Sequence, residues 1–175
     1  EQALKAQLNR NTVKYYYSLL PDNLMSWLVI THILQDKYLS SSPTIPSGKL
    51  YADMDRLVYQ GTNYQAVVAM HSRRTGNYEC INNENLKGQR TSDGMTWLYL
   101  PDADQYSDYW PIVDSRFLPG TTSVGELGWC DEQYRVTQLG RANITWAGGN
   151  TLNSWASASM LLKVPAYSLK AQKSW

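Results

Sequence analysis

Cysteine is scarce. Only Cys80 and Cys130 occur in 175 residues, which excludes a disulfide framework and leaves at most one bridge open. No CxxC pair is present, and His32 and His71 stand alone without metal-ligand spacing, so a structural zinc site is not expected. Charge of one sign is missing too. Lys and Arg number 16 against 15 Asp and Glu, which lacks the basic footprint of a nucleic-acid binder. No apolar run reaches about 18 residues, so no helix is expected to span a membrane. The longest, around Trp27–Leu34, is broken by Thr31 and His32. No nucleophile elbow, P-loop or dinucleotide fingerprint appears.

Phenylalanine is nearly absent, and this turns attention to what is present. The chain has 1 Phe but 13 Tyr and 7 Trp, so its aromatic surface carries polar handles. Such side chains suit sugar rings, which pair C–H faces with hydroxyl edges. They also suit β-strands, and composition alone does not choose between the two.

Periodicity divides the chain. Leu4, Leu8, Val13, Tyr16, Leu19 and Leu20 recur at roughly helical spacing until Pro21. Asp22 is placed to cap a second helix whose Leu24, Trp27, Leu28, Thr31 and Leu34 share a face. The Ser/Pro-rich stretch from Ser40 to Gly48 reads as a linker. Alternation of period two then begins at 64–71, 95–100 and 155–162, with turn signals at Gly61-Thr62-Asn63 and Gly148-Gly149-Asn150. A further strand-like run covers Tyr167 to Lys173. The expectation is an α+β chain: residues 1–39 end a helical domain, 40–49 link, and 50–175 open an antiparallel β-sandwich. Glu1 sits inside a helical pattern and Trp175 ends just past a strand, as expected of a segment of a longer chain.

The densest polar stretch is 71–88. It gathers Arg73, Arg74, Glu79, Glu84 and four asparagines, a set able to bind a polyhydroxylated anion through forked Arg and two-way amide bonds. A polar loop satisfying its own backbone is the plainer reading. A glycosidase pair of Glu79 and Glu84 needs carboxylates about 5–5.5 or 6.5–9.5 Å apart, and nothing in the sequence makes these two converge.

The order of residues is more specific. Asn77-Tyr78-Glu79-Cys80-Ile81-Asn82-Asn83-Glu84-Asn85-Leu86-Lys87-Gly88 resembles a motif of polysaccharide lyase family 8, which holds hyaluronate, chondroitin AC and xanthan lyases. Ser92-Asp93-Gly94-Met95, the run Gln105–Asp114 into Leu118-Pro119-Gly120-Thr121-Thr122, and Ala171-Gln172-Lys173-Ser174-Trp175 follow in the family's order. The pattern departs at Cys80, Asn83, Gln89 and Ser115. The resemblance implies helices from an incomplete α/α toroid followed by a β-sandwich segment. It also implies β-elimination on an acidic polysaccharide, without a cofactor or a metal at the site, by a secreted enzyme that works as a monomer. By the motif, Glu79 corresponds to a glutamate orienting a catalytic Arg and Tyr. Asn82 corresponds to an asparagine facing substrate, and Arg74 and Asn85 belong to the same substrate loop. The resemblance implies that the Asn, His and Tyr that perform the chemistry in that family would lie upstream of Glu1. The alternative is a non-catalytic glycan-binding β-sandwich descended from such an enzyme.

Overall fold

The computed structural model describes residues 24–38, 46–75, 78, 85–100, 106, 108–122, 146–164 and 169–175. The chain separates into units 1–44 and 45–175. In the first, helix α1 spans Leu24–Gln35, as the periodicity predicts; the first expected helix lies outside the described residues. Among the described side chains of α1, Ile33 is buried, whereas Leu28, placed by sequence on the shared apolar face, is 56% exposed. The segment is apolar on nearly every side, so spacing alone does not select a face.

In the second unit, β1 (Ser47–Tyr51), β2 (Arg56–Gln60), β3 (Gln65–Ala69) and β4 (Thr96–Tyr99) form one antiparallel sheet in chain order. Strand β1 begins inside the stretch expected to be linker. Helix α2 is a single turn, Tyr109–Ile112. The strands β5 (Ala147–Leu152), β6 (Trp155–Val164) and β7 (Leu169–Ser174) make a second antiparallel sheet. The sheets face each other over one core: Leu57, Val68 and Met70 from the first, Ala147, Ala158, Met160 and Leu162 from the second. On β6 the inward series Ala158, Met160, Leu162 is the period-two pattern read from sequence. The alternation fails at the end of β3, where Ala69, Met70 and His71 are all buried.

The close approach of the sheets rests on small residues. A Cβ on Gly48 would stand 3.0 Å from Ala156 Cβ and 3.2 Å from Thr151 Cγ2. The Gly148-Gly149-Asn150 stretch, expected as a turn, is instead the middle of β5, and the hairpin turns at Asn153–Ser154. Gly149 serves strand packing: a Cβ there would stand 2.2 Å from Ser157 O on the paired strand. Gly149→Ala is therefore expected to destabilise the fold by about 1–3 kcal/mol through overpacking. An unchanged thermal midpoint would contradict this register. Beside β4, Leu98 N–H donates to Tyr106 Oη at 3.1 Å while the hydroxyl donates to Leu98 O at 3.1 Å.

Candidate functional site

A left-handed turn between β1 and β2 organises the polar end of the first sheet. Asp55 adopts φ 50° and ψ 47°, a conformation that Asp tolerates better than most residues. Its carboxylate is 1% exposed. It accepts from Ser72 Oγ at 2.5 Å, from Thr75 Oγ1 at 2.8 Å and from the Arg74 guanidinium. The next residue, Arg56, donates to Met70 O at 2.6 Å, Met54 O at 2.9 Å and Ser92 Oγ at 3.0 Å. Burial pushes the Asp55 carboxyl up, but the bonds from Ser72, Arg74 and Thr75 outweigh it and hold the group below its usual range.

A second buried group adjoins it. His71 is 1% exposed, and its Nδ1 lies 2.8 Å from Ser92 O and 3.5 Å from Asp93 Oδ1. A carbonyl only accepts, so the contact with Ser92 places the proton on Nδ1. Asp93 also meets Arg90 Nη1 at 3.3 Å, and Lys173 Nζ donates to Asp93 O at 2.9 Å and to Gly120 O. Burial raises the Asp93 carboxyl despite the neighbouring His71, Arg90 and Lys173. It also lowers Lys173, with Asp93 opposing. His71, Asp93 and Arg90 have the composition of a proton-transfer set. All three are buried and committed to one another and to main chain, so their geometry is that of a brace.

The two braces give opposite responses to acid. A carboxyl lowered by folding contributes stability above its unfolded value, about 3.9, and loses it as pH falls through the folded value. Asp55 is of this kind. Asp93 is raised, so its contribution is fullest below about 3.9 and declines as pH climbs through the folded value. The stability advantage of wild type over Asp55→Asn is therefore expected to shrink below about pH 4. Its advantage over Asp93→Asn is expected to grow in a higher pH range, as pH falls through the raised folded value, and to be complete by about pH 4. Chemical denaturation of the three proteins between pH 3 and pH 7 checks both, and parallel curves would count against these assignments.

The polar stretch 71–88 has two described stems. The first, 72–75, is the turn closed around Asp55. The second begins at Asn85, in the left-handed region at φ 52°, with Gly88 N donating to Asn85 O at 2.9 Å. Gly88, Gln89 and Arg90 form a buried 3-10 turn, so Gln89 packs inward rather than lining a wall. Lys87 Nζ donates to Trp110 O at 2.7 Å, Pro111 O at 3.0 Å and Val113 O at 3.1 Å, tying this stem to α2. Edge-on and tilted contacts run Tyr99–Tyr106–Tyr109–Trp110 at 5.0, 5.7 and 5.7 Å, ending at a Trp that is 40% exposed. Burial pushes the Tyr109 hydroxyl up, with Tyr106 adding to it, so it is not poised as a phenolate.

Of the residues singled out by sequence, Arg74 and Asn85 are described; Glu79, Asn82, Cys80 and Cys130 lie outside the described residues. Arg74 spends its guanidinium on Asp55 and, at 3.1 Å, on Ala147 O of β5, so it joins the two sheets. Asn85 opens a turn. Asp55, Arg56 and the His71–Asp93 pair were not legible as site residues, since each acts through a partner distant in sequence. Among the described residues no three His, Cys, Asp or Glu side chains gather as a metal site requires.

Residues 46–175 match the super-sandwich domain of polysaccharide lyase family 8. The chain belongs to polysaccharide lyase family 8. It is 34% identical over 184 residues to hyaluronate lyase HylB of Enterococcus faecalis, covering 95% of this chain and 18% of that protein. It is 40% identical over 128 residues to the xanthan lyase of Bacillus sp. (strain GL1), covering 73% of this chain and 13% of that protein. The X-ray structure of Streptomyces coelicolor chondroitin AC lyase in complex with chondroitin sulphate superposes with a TM-score of 0.78 at 30% identity, over 99% of this chain and 24% of that one. The chain thus spans less than a fifth of the curated relatives it matches. Its helical segment followed by two antiparallel sheets is the α+β arrangement of family 8, toroid then β-sandwich.

Proposed function

We propose that this family 8 chain is part of a lyase that cleaves uronate-containing polysaccharides by β-elimination. The observation that carries the reading is the match of residues 46–175 to the family's sandwich domain. Within the chain we place the end of the helical domain in residues 1–39 and the opening of the sandwich after the linker.

The reaction sets three tasks. The uronate carboxylate must be neutralised, the proton α to it removed, and the glycosidic oxygen protonated as it leaves. We assign this chain the sandwich side of the cleft: Glu79 orients the groups that move protons, and Asn82 meets the sugar. The residues that move the protons belong to the helical side. Arg56, Arg74, Arg90 and Lys173 outnumber Asp55 and Asp93 around the stems, and this positive balance favours an anionic polymer. A polymeric substrate does not cross a bilayer, so we place the enzyme outside the cell. Among the described residues no helix is long and apolar enough to cross a membrane.

The test is ultraviolet absorbance of the intact enzyme mixed with hyaluronan, chondroitin sulfate and xanthan in turn. A rise from the new conjugated double bond is expected with at least one of them. Cleavage giving only saturated, hydrolysed ends would overturn the reading. The 175-residue chain alone is expected to give no rise, because it spans less than a fifth of the relatives' length; a rise would mean it carries its own base and acid.

A further inference from the structure

Charge is segregated along the chain although it nearly balances overall. Residues 133–175 hold five of the 16 cationic residues and none of the 15 acidic ones. The described part of that stretch is largely the second sheet, and β5, β6 and β7 contain no Asp or Glu. The two faces of this sheet differ. Ala158, Met160 and Leu162 face the core, and Lys173 reaches from the same side to Asp93 O and Gly120 O. The alternate positions face outward, and they set Lys163 of β6 directly opposite Lys170 of β7. Side chains so opposed stand about 4.5–5.5 Å apart at Cβ, where two like charges repel. Among the described residues neither lysine takes part in an ion pair. The pair is a local repulsion that the sheet itself does not relieve, and that an anion held between the two ammonium groups would.

The same face carries an indole. Trp146 lies just before β5 and is 51% exposed. Its carbonyl accepts from Leu161 N at 3.1 Å, two residues along β6 from Lys163 and so about 7 Å from it along the strand. Its ring lies over Gly148, where a Cβ would stand 3.7 Å from Trp146 Cζ2. Gly148 is paired with Ser159, whose hydroxyl meets that of Ser174 at 3.1 Å on the exposed side. At the hairpin end the same outward series reaches Trp155, which is 50% exposed and about 20 Å from Leu161 along the strand. An aromatic plane beside a pair of cations thus opens onto a long, uncharged, hydroxyl-bearing floor.

We propose that the outer face of the second sheet binds an anionic polysaccharide: Lys163 and Lys170 hold its carboxylate or sulfate groups, and Trp146 stacks on a sugar ring. The chemistry selects this class. An indole suits the C–H face of a sugar, and serine hydroxyls suit its edges. Two ammonium groups on a face without a carboxylate complement the acid groups of such a chain. A nucleic acid calls for a denser row of cations, and a bilayer for a broader apolar surface. That the polymer is the enzyme's own substrate rests on the lyase reading. That it is an anionic glycan rests on the face itself.

The experiment uses the intact enzyme. Acetylation of individual lysines is read by mass spectrometry alone and with hyaluronan (carboxylates), chondroitin sulfate (carboxylates and sulfates), dextran (neutral) or duplex DNA. Acetylation of Lys163 and Lys170 is expected to slow roughly tenfold at an anionic glycan concentration about ten times Kd, and not with dextran. Lys49, exposed on the outer face of the first sheet, is the control and should not respond. Protection by both anionic glycans assigns the contact to carboxylate, and protection by chondroitin sulfate alone assigns it to sulfate. Lysines that resist acetylation in the free enzyme, no protection, or equal protection by DNA would each overturn the proposal. Mobility in native gels containing the polymer then reads the variants. Lys163→Ser combined with Lys170→Ser is expected to weaken binding about tenfold and to flatten its salt dependence. Trp146→Ala is expected to weaken it about two- to tenfold. Lys170→Glu should also lose affinity, yet its thermal midpoint should rise, because an opposite-charge pair replaces a like-charge one. Unchanged affinity in these variants, or a midpoint of Lys170→Glu that falls with its affinity, would overturn the proposal. Protection without release of unsaturated product would refute the lyase reading and keep this one; product release without protection would do the reverse.

Discussion

Met160→Ala is expected to remove about 2–5 kcal/mol of stability, the largest loss from any single truncation in the sandwich. Met160 is completely buried at the middle of β6. Its strand is paired on both sides, opposite Ala147 of β5 and Lys173 of β7, so the backbone cannot close on a void. The side chain meets the cluster of Leu57, Val68 and Met70 from the facing sheet. The smaller neighbours Ala147 and Ala158 leave the space that Met160 fills, and they have no atoms with which to fill it after truncation. The cost therefore combines lost transfer energy with a retained cavity. Met160→Leu, which nearly conserves volume, should cost less than about 1.5 kcal/mol. Urea unfolding followed by tryptophan fluorescence reads both variants. A Met160→Ala midpoint equal to that of wild type would mean that the two sheets do not share this core.

The same strand shows what a sequence makes legible. Ala158 and Met160 alternate with Ser157 and Ser159, and a half-buried strand follows from period two. The β3 and β4 segments were readable for the same reason. Helix α1 was readable as a helix but not as to its buried face, because an almost wholly apolar segment carries no phase. Gly148 and Gly149 misled, since two glycines signal a turn locally while both lie within β5 and Gly149 leaves room for Ser157 on the next strand. That is a tertiary fact which no local pattern encodes. The site divides in the same way. The motif at 77–88 and its successors place the chain in family 8. The polar framework beneath it joins residues far apart in sequence, Asp55 to Ser72 and Thr75, Arg56 to Ser92, and Lys173 to Asp93. Arg74 shows the limit clearly. Its proposed place in the substrate loop rests on the motif, while its bond to buried Asp55 is one that no local pattern encodes.

The largest effect on activity is expected at Glu79 and Asn82. In the intact enzyme, Glu79→Gln should lower kcat by about 10²–10³-fold, the range for losing one preorganised charge-stabilising contact. The substitution keeps the side chain's shape and removes its charge. In the proposed role, the glutamate holds a cationic partner and a proton-transfer group in line, so its loss acts on the transition state more than on binding, and KM should change little. Asn82→Ala should lower kcat/KM by a similar factor but also raise KM, because in the proposed role its amide meets the sugar before and during the reaction. Asn85 provides the contrast. Its φ of 52° makes it a turn residue, and glycine adopts that conformation without strain. Asn85→Gly should therefore retain kcat while both other variants lose it. Steady-state kinetics on the polysaccharide that yields the absorbance rise separates the three. Near wild-type kcat for Glu79→Gln and Asn82→Ala would remove the sandwich side of the cleft from the chemistry. A large loss for Asn85→Gly would instead move the substrate contact to the returning stem, next to Lys87 and the exposed face of Trp110.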